Sequence, residues 1–379
     1  MPICPAIPSQ NPTSGRIQGR NPSAILIDMK SENNLQPATL FFQCNVCGAR
    51  AFIKLDELLR EKVSCPECDS TPRARAIIHI LSTELFGKNL LLSDFPASPD
   101  IRGLGMSDWD GYATRLAEKF SYRNTYYHQE PRLDISAVEI PADLRSNDFV
   151  ISSEVFEHVV PPVAQAFENV SKMLKPGGLF ILTVPYTNNK DTIEHFPDLY
   201  DFTLVEDHDA VVLRNRTREG VIQEFRDPVF HGGPGATLEM RLFSEHSIIQ
   251  HLRNAAFHAI KVHREPDFAH GVWWPEPWGF PISARTNMLP MITASPNPVP
   301  AGEGVGMTNI TWNTGDDTIG YVYVSVNDRE ESLFACFPQG SRAANWIQTG
   351  LRYRFRLYDG TERGKLLAET TVTTDETGS

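Results

Sequence analysis

The sequence predicts an α/β domain built on a parallel sheet, preceded by a small four-cysteine module and followed by an all-β sandwich. Three observations predict it. Residues 149–184 run from an apolar strand through a helical stripe to a second apolar strand. Four cysteines fall as two Cys-x2-Cys pairs between Cys44 and Cys68. Beyond Met291 the chain breaks into short alternating runs separated by turn residues.

The 379 residues suffice for two or three domains, and 41% apolar against 22% charged residues is ordinary for a soluble protein. No apolar run reaches the length of a membrane span. The N-terminus, Met1-Pro2-Ile3-Cys4-Pro5, has neither the basic start nor the apolar core of a secretion signal. With 35 basic and 47 acidic side chains the net charge is −12, which disfavours a nucleic-acid backbone as partner. A cytoplasmic enzyme of small or uncharged substrates fits better.

Residues 1–38 are rich in Pro, Ser, Asn and Gln and are expected to form a mobile tail, with one short strand or helix over 24–29. The module spans 39–70. Cys44 and Cys47, then Cys65 and Cys68, each place two thiolates on one tight turn, and two such turns complete a tetrahedron around zinc. Gly48 and Pro66 suit the turns. A disulfide pair or a redox Cys-x-x-Cys fits less well, because two matched pairs are present without a secretion signal. Four thiolates leave no position for substrate, so the ion is expected to be structural. Cys4 and Cys336 are left over as free thiols.

The α/β domain is expected over 71–287. Thr71-Pro72 opens a helix carrying Ala76, Ile77, Ile80, Leu81 and Leu85 at helical spacing, with Arg73 and Arg75 on its solvated face. A strand over 101–108 holds Gly103 and Gly105 and leads through Trp109-Asp110-Gly111 to a helix over 112–120. Gly111 lets the backbone approach a ligand, and Asp108 or Asp110 can hold an ammonium group. A strand over 125–129 then ends in Glu130, placed to accept two hydrogen bonds from a ribose diol.

Residues 149–153 form a buried strand that stops at Glu154. Val163, Phe167, Val170 and Leu174 mark the crossover helix, Pro176-Gly177-Gly178 ends it, and 179–184 is the next strand. Ligands in such sheets sit beyond the carboxyl ends of the strands, where Glu154, Glu157 and His158 emerge. The polar stretch 187–240 holds His195 and the run Phe230-His231-Gly232-Gly233, with a hairpin lid over 211–213 and 221–225. Ser244 caps a helix over 246–255, 260–263 is the last sheet strand, and the aromatic run 273–278 closes the domain. Seven strands are expected over 288–376: 291–294, 309–312, 321–326, 332–337, 344–347, 353–358 and 367–373.

Ser-Glu-Val-Phe-Glu-His-Val at 153–159, followed by Leu-Lys-Pro-Gly-Gly at 174–178, resembles the type 11 branch of the class I S-adenosylmethionine-dependent methyltransferases. The end of the domain, with Phe243-Ser244, Leu252, Ala256-Phe257 and Ile260, is similar to the end of that pattern. The resemblance implies a Rossmann-like sheet with helices on both faces and S-adenosylmethionine as cofactor. It places Gly105, Ser107, Asp108, Gly111, Glu130, Asp134, Ser153 and Glu154 at that cofactor, although the glycine-rich loop usual in the class is missing. It implies methyl transfer to an acceptor oxygen or nitrogen, and the acidic balance, the aromatic run and the C-terminal sandwich point to a small-molecule or saccharide acceptor. His158, His195 and His231 are the candidate bases, with Glu157 as orienter or alternative base. The C-terminal region resembles immunoglobulin or fibronectin-III modules, implying a spacer or a docking surface for protein or glycan. Two other readings are an NAD-dependent oxidoreductase, using Glu130 on a ribose, and a non-catalytic scaffold of the same fold.

Overall fold

The computed structural model describes residues 38–207, 210–231, 237–300, 304–360 and 363–375. The tail expected over 1–38 lies almost wholly outside the described residues, as do Cys4, Gly232 and Gly233. The described residues fall into two compact units, one within Ser23–Thr286 and one within Asn287–Ser379.

The first unit begins with a hairpin, β1 (Thr39–Gln43) and β2 (Arg50–Lys54), whose connection carries Cys44 and Cys47. Helix α1 (Pro72–Phe86) starts where the sequence places it. Thr71 Oγ1 accepts the Ala74 N–H at 3.2 Å, Pro72 occupies the first turn, and Gly87 ends the helix in the left-handed region. A six-stranded sheet follows. Its members are β3 (Ser98–Met106), β4 (Phe120–Thr125), β5 (Asn147–Ser153), β6 (Leu174–Thr183), β15 (Phe257–Val262) and β16 (Ile282–Thr286).

The strand order is β15-β16-β6-β5-β3-β4; β4, β3, β5 and β6 run parallel, and β16 is antiparallel to both its neighbours. Alternate residues of the central strands point to opposite faces, and each face is covered. Val150, Phe180 and Leu182 pack with helices α3 (Ala164–Met173) and α4 (Glu245–Asn254) through Phe167, Val170, Ile248 and Leu252. Phe149, Ile151, Leu179 and Ile181 pack with α1 and α2 (Asp110–Lys119) through Ile77, Leu81, Tyr112 and Leu116. Phe42, Cys44, Val46 and Cys65 belong to that second cluster, so the four-cysteine module is part of the sheet's covering layer.

Between β6 and β16 lie small elements numbered in chain order. They are β7 (Tyr186–Thr187), β8 (Ile193–Glu194), β9 (Asp201–Asp207), β10 (Ala210–Arg216), β11 (Ile222–Arg226), β12 (Phe230–His231), β13 (Thr237–Leu238) and β14 (Arg241–Ser244). β14 sits between β7 and β8, and β9, β10 and β11 form a separate antiparallel sheet.

Four expectations need correction. The strand after α2 is β4 at 120–125, five residues earlier than the aromatic run at 125–129 suggested; Phe120 is the buried residue that anchors it. The last sheet strand is β16, not 260–263, because Ile282 and Ala284 alternate inward between β15 and β6. The expected hairpin lid is a three-stranded sheet, because β9 pairs with β10 along its length. Arg75 is fully buried rather than solvated, and Arg73 is largely buried in ion pairs.

The second unit contains β17 (Met291–Ser295), β18 (Val305–Asn313), β19 (Tyr321–Val326), β20 (Ser332–Cys336), β21 (Gln339–Gln348), β22 (Tyr353–Tyr358) and β23 (Leu366–Val372). They form antiparallel sheets ordered β17-β18-β21 and β20-β19-β22-β23. Ile310, Trp312 and Ile347 of one sheet and Val322, Phe355 and Leu357 of the other share one core. Trp312 Nε1 donates to the Phe337 carbonyl at 3.0 Å. Cys336 is disulfide-bonded, correcting its expectation as a free thiol. No spacing rule could reveal that, since a disulfide is set by three-dimensional proximity.

Candidate functional site

The site lies beyond the carboxyl ends of β3, β5 and β6. At the β3 tip, Ser107 turns into the left-handed region at φ 54° and donates its N–H to the Thr125 carbonyl at 2.7 Å. Asp108 follows and is buried at 4% exposure. Its Oδ2 accepts a short hydrogen bond from the Tyr122 hydroxyl, while its Oδ1 has no partner among the described residues. Burial raises the Asp108 carboxyl to about 7, against the pull of the Tyr122 bond. The Tyr112 hydroxyl is also buried without a partner. Gly105 is required here: a Cβ on it would fall 2.0 Å from the Tyr122 hydroxyl oxygen and 2.4 Å from Asp108 Oδ2. At Gly111 the occupant is the Trp109 indole, 2.1 Å from where a Cβ would stand.

At the β5 tip the other expected carboxylate is fully engaged. Glu154 has a left-handed backbone at φ 56° and accepts from Arg60 Nη2 at 2.8 Å and Nη1 at 3.1 Å. Burial pushes Glu154 upward, but the Arg60 and Arg73 charges hold it below the usual carboxylate range. Arg60 also donates Nε to the Gly279 carbonyl at 2.9 Å, and Arg73 donates to Ser153 Oγ. Ser153 and Glu154 therefore bind the cysteine module's own arginine and its neighbour on α1. Glu130 is exposed and accepts the Arg132 N–H, and Asp134 Oδ1 accepts from Ser136 in its own turn. The expected ribose carboxylate is not at a strand tip, because β4 ends at Thr125.

The four expected catalytic residues come together despite lying up to 74 positions apart. A 3-10 turn, Phe156–His158, leaves β5 and presents Glu157 and His158. Arg241 fixes this turn: fully buried, it donates Nη1 to the Phe156 and Val159 carbonyls and Nε to Glu194 at 2.7 Å. His158 Nδ1 donates to the Leu238 carbonyl at 2.9 Å, and its Nε2 lies 3.1 Å from His231 Nδ1. His231 Nε2 and His195 Nε2 both bond to Glu239, at 2.8 and 2.9 Å. Burial lowers His158, so its ring is neutral near pH 7. Glu157 is completely buried, and neither carboxylate oxygen has a hydrogen-bond partner among the described residues. Burial, reinforced by the nearby Glu154 charge, raises it well above the ordinary range. Sequence reasoning missed Glu239, Arg241, Arg60, Tyr112 and Tyr122; none stands in a motif, and proximity alone recruits them.

Beyond β6 a cavity of about 430 Å³ is lined by Tyr186, Thr187, Trp274, Pro275, Trp278 and Arg60. Tyr186 is held by bonds to Glu245 and the Phe280 N–H, both 3.1 Å.

In the module, the four Sγ atoms converge, with Cys44 to Cys68 and Cys47 to Cys65 each 3.7 Å apart. Thiolates on a tetrahedral zinc at about 2.3 Å lie about 3.8 Å from one another, so the spacing fits that ion. Arg75 supports the same charge. It is buried over Phe42, and its hydrogen bonds go only to Ser64, Ser70 and the Gly271 carbonyl. Burial lowers the Arg75 guanidinium, and negative charge on the nearby thiols opposes that shift.

Residues 109–182, from Trp109 through the histidine-bearing turn to β6, match the family described as methyltransferase domain. No curated protein matches the chain by sequence. Among solved structures, this chain is similar to the CurJ carbon methyltransferase at 16% identity and a TM-score of 0.35, covering 57% of this chain and 56% of that one. It is also similar to 1,6-didemethyltoxoflavin-N1-methyltransferase of Burkholderia thailandensis, solved with its acceptor and S-adenosylhomocysteine. That likeness has 14% identity and a TM-score of 0.27, covering 59% of this chain and 93% of that one. A methyltransferase of Listeria monocytogenes described as S-adenosylmethionine-dependent shares 13% identity at a TM-score of 0.31, over 52% and 95% of the two chains. Likenesses this low carry no substrate to this chain. Among the described residues, no helix is long and apolar enough to cross a membrane.

Proposed function

We propose that the chain methylates an oxygen or nitrogen of a small-molecule or saccharide acceptor, with S-adenosylmethionine as donor. The observation that carries the reading is the orphaned Asp108 Oδ1, buried at the β3 tip against the family-matched segment. S-adenosylmethionine supplies a methyl group already activated by its sulfonium. The residues' task is therefore to bind, align and keep water out. Asp108 would hold the donor's ammonium, since a cation there satisfies Oδ1 and draws the carboxyl down from about 7. Tyr122 fixes the orientation of Asp108, and Gly105 leaves room for both. Trp109 covers Gly111 and would turn aside or stack when the donor enters.

The cavity beyond β6 is the acceptor site in this reading. Its volume suits a small molecule or one sugar unit, and the Trp274 and Trp278 rings offer apolar faces with polar edges. Glu157, His158 and His231 present electron pairs at the adjoining turn, backed by Glu239 and His195, and deal with the acceptor's proton. Cys44, Cys47, Cys65 and Cys68 hold a structural zinc that keeps Arg60 on Glu154. The C-terminal sheets form an immunoglobulin-like docking module for protein or glycan.

Calorimetry of the zinc-replete protein with S-adenosylmethionine and S-adenosylhomocysteine tests the donor site. Binding of both, weakened by Asp108→Asn, supports the reading; no heat at millimolar ligand defeats it. Transfer of labelled methyl across phenol, amine and saccharide panels then identifies the acceptor.

A further inference from the structure

We infer that Glu157, His158 and His231 form a second metal site, of the two-histidine, one-carboxylate kind, for a divalent ion such as zinc. The inference rests on side-chain geometry; a bound ion would take the same electron pairs that the methyl-transfer reading gives to the acceptor's proton, so the two are alternative roles for these residues.

Three ligand atoms face one point. His158 Nε2 lies 3.1 Å from His231 Nδ1 and 3.7 Å from Glu157 Oε1, and His231 Nδ1 lies 4.0 Å from Glu157 Oε1. Ligands at about 2.0–2.1 Å on a tetrahedral ion stand about 3.3 Å apart, so these separations bracket what zinc needs.

The outer hydrogen bonds define which atoms carry lone pairs. His158 uses Nδ1–H on the Leu238 carbonyl, leaving Nε2 without hydrogen in the neutral ring. His231 bonds the Glu239 carboxylate through Nε2, so Nδ1 is the nitrogen turned toward His158 and Glu157. The His158 Nε2 and His231 Nδ1 atoms, 3.1 Å apart, and the Glu157 carboxylate thus face one another, a grouping that a metal ion can satisfy. The outer bonds, one to a carbonyl and one to a carboxylate, are those that orient metal-bound histidines.

Glu157 is the independent observation. Its side chain is 1% exposed, it points into this cluster, and both of its oxygens lack a hydrogen-bond partner among the described residues. A buried carboxylate with no donor is costly, and a divalent ion at this point is a suitable partner. A contrasting cluster shows the difference. Asp267 also sits among histidines, but its carboxylate already receives bonds from His270, His79 and Asn89. Three ligands leave a fourth position for an oxygen, from water or from a hydroxyl-bearing ligand, as in open zinc sites.

The test is zinc stoichiometry of the full chain, by elemental analysis after dialysis and by calorimetric titration with zinc chloride. Wild type is expected to hold two equivalents, one at the four thiols and one here. His231→Ala, altering a partly exposed side chain, should hold one. Glu157→Gln, which keeps shape and removes charge, should bind the second equivalent at least about 10-fold more weakly. One equivalent or fewer in folded wild type overturns the inference, as does an undiminished second equivalent in His231→Ala. If His231→Ala fails to fold, unchanged affinity in Glu157→Gln overturns it.

Discussion

Asp108 and Glu154 leave neighbouring parallel strands at the same end of the sheet, and both are buried acids. Their surroundings drive them apart. Glu154 meets Arg60 and Arg73, accepts two hydrogen bonds from Arg60, and stays ionised below the usual range. Asp108 meets two tyrosines, keeps one oxygen without a partner, and is raised to about 7. The lesson concerns availability: a carboxylate already paired with arginine is part of the scaffold, whereas one with an orphan oxygen is ready for a cationic ligand. Both were expected at the cofactor from their place after a strand, and only one has an open valence.

The largest expected effect breaks the Glu154 half of the contrast. Stripping the proposed zinc with a chelator, or making Cys47→Ser, should free the loop that carries Arg60. Stability is expected to fall by on the order of 5 kcal/mol or more, read as a drop in denaturation midpoint. An unchanged midpoint would show that the module folds without metal.

A narrower cut is Arg60→Ala, which leaves Glu154 buried beside Arg73 alone. It should cost roughly 3 kcal/mol in denaturant unfolding, with Arg60→Lys recovering only part because the two-bond fork is lost. The sign with pH follows from the lowered Glu154 value. The pair's contribution is present above the ordinary carboxylate range and disappears as pH falls through the depressed value, so wild type and variant should converge in acid.

Asp108→Asn sharpens the other half. Because the folded value, about 7, exceeds the ordinary one of 3.8, wild-type stability should decline as pH rises between them. The asparagine variant should lack that slope and be the more stable protein above about pH 8. Donor affinity should nevertheless fall about 10- to 100-fold, or roughly 1.4–2.7 kcal/mol, by calorimetry. Equal pH slopes in the two proteins would mean Asp108 is ionised throughout.

The smallest effect belongs to Glu130→Gln. The residue is exposed and bonds only within its own turn, so donor affinity should change less than about twofold and stability by a few tenths of a kcal/mol. A tenfold loss would restore Glu130 as a ribose ligand and require the loop after β4 to move.

Much of this molecule was legible before folding was considered. The two Cys-x2-Cys pairs are legible because each sits on one turn, although the 3.7 Å contacts of Cys44 with Cys68 and Cys47 with Cys65 join one pair to the other and come from the fold. Thr71-Pro72 starts α1 and Ser244 caps α4, since capping is decided within three residues. The alternation in 321–326 and 353–358 set two strands to the residue. Other features needed the whole fold. Nothing near Arg75 in sequence says that it will be buried over Phe42 with bonds to Ser64 and Ser70, or that Arg60 will reach Glu154 from 94 positions away. β16 was hidden in a short run whose strand character comes from neighbours on both sides. Periodicity, caps and ligand spacing act over a few residues and so are written in the chain. Charge pairing, burial and the meeting of His158 with His231 depend on segments brought together by the sheet, and only the tertiary structure decides them.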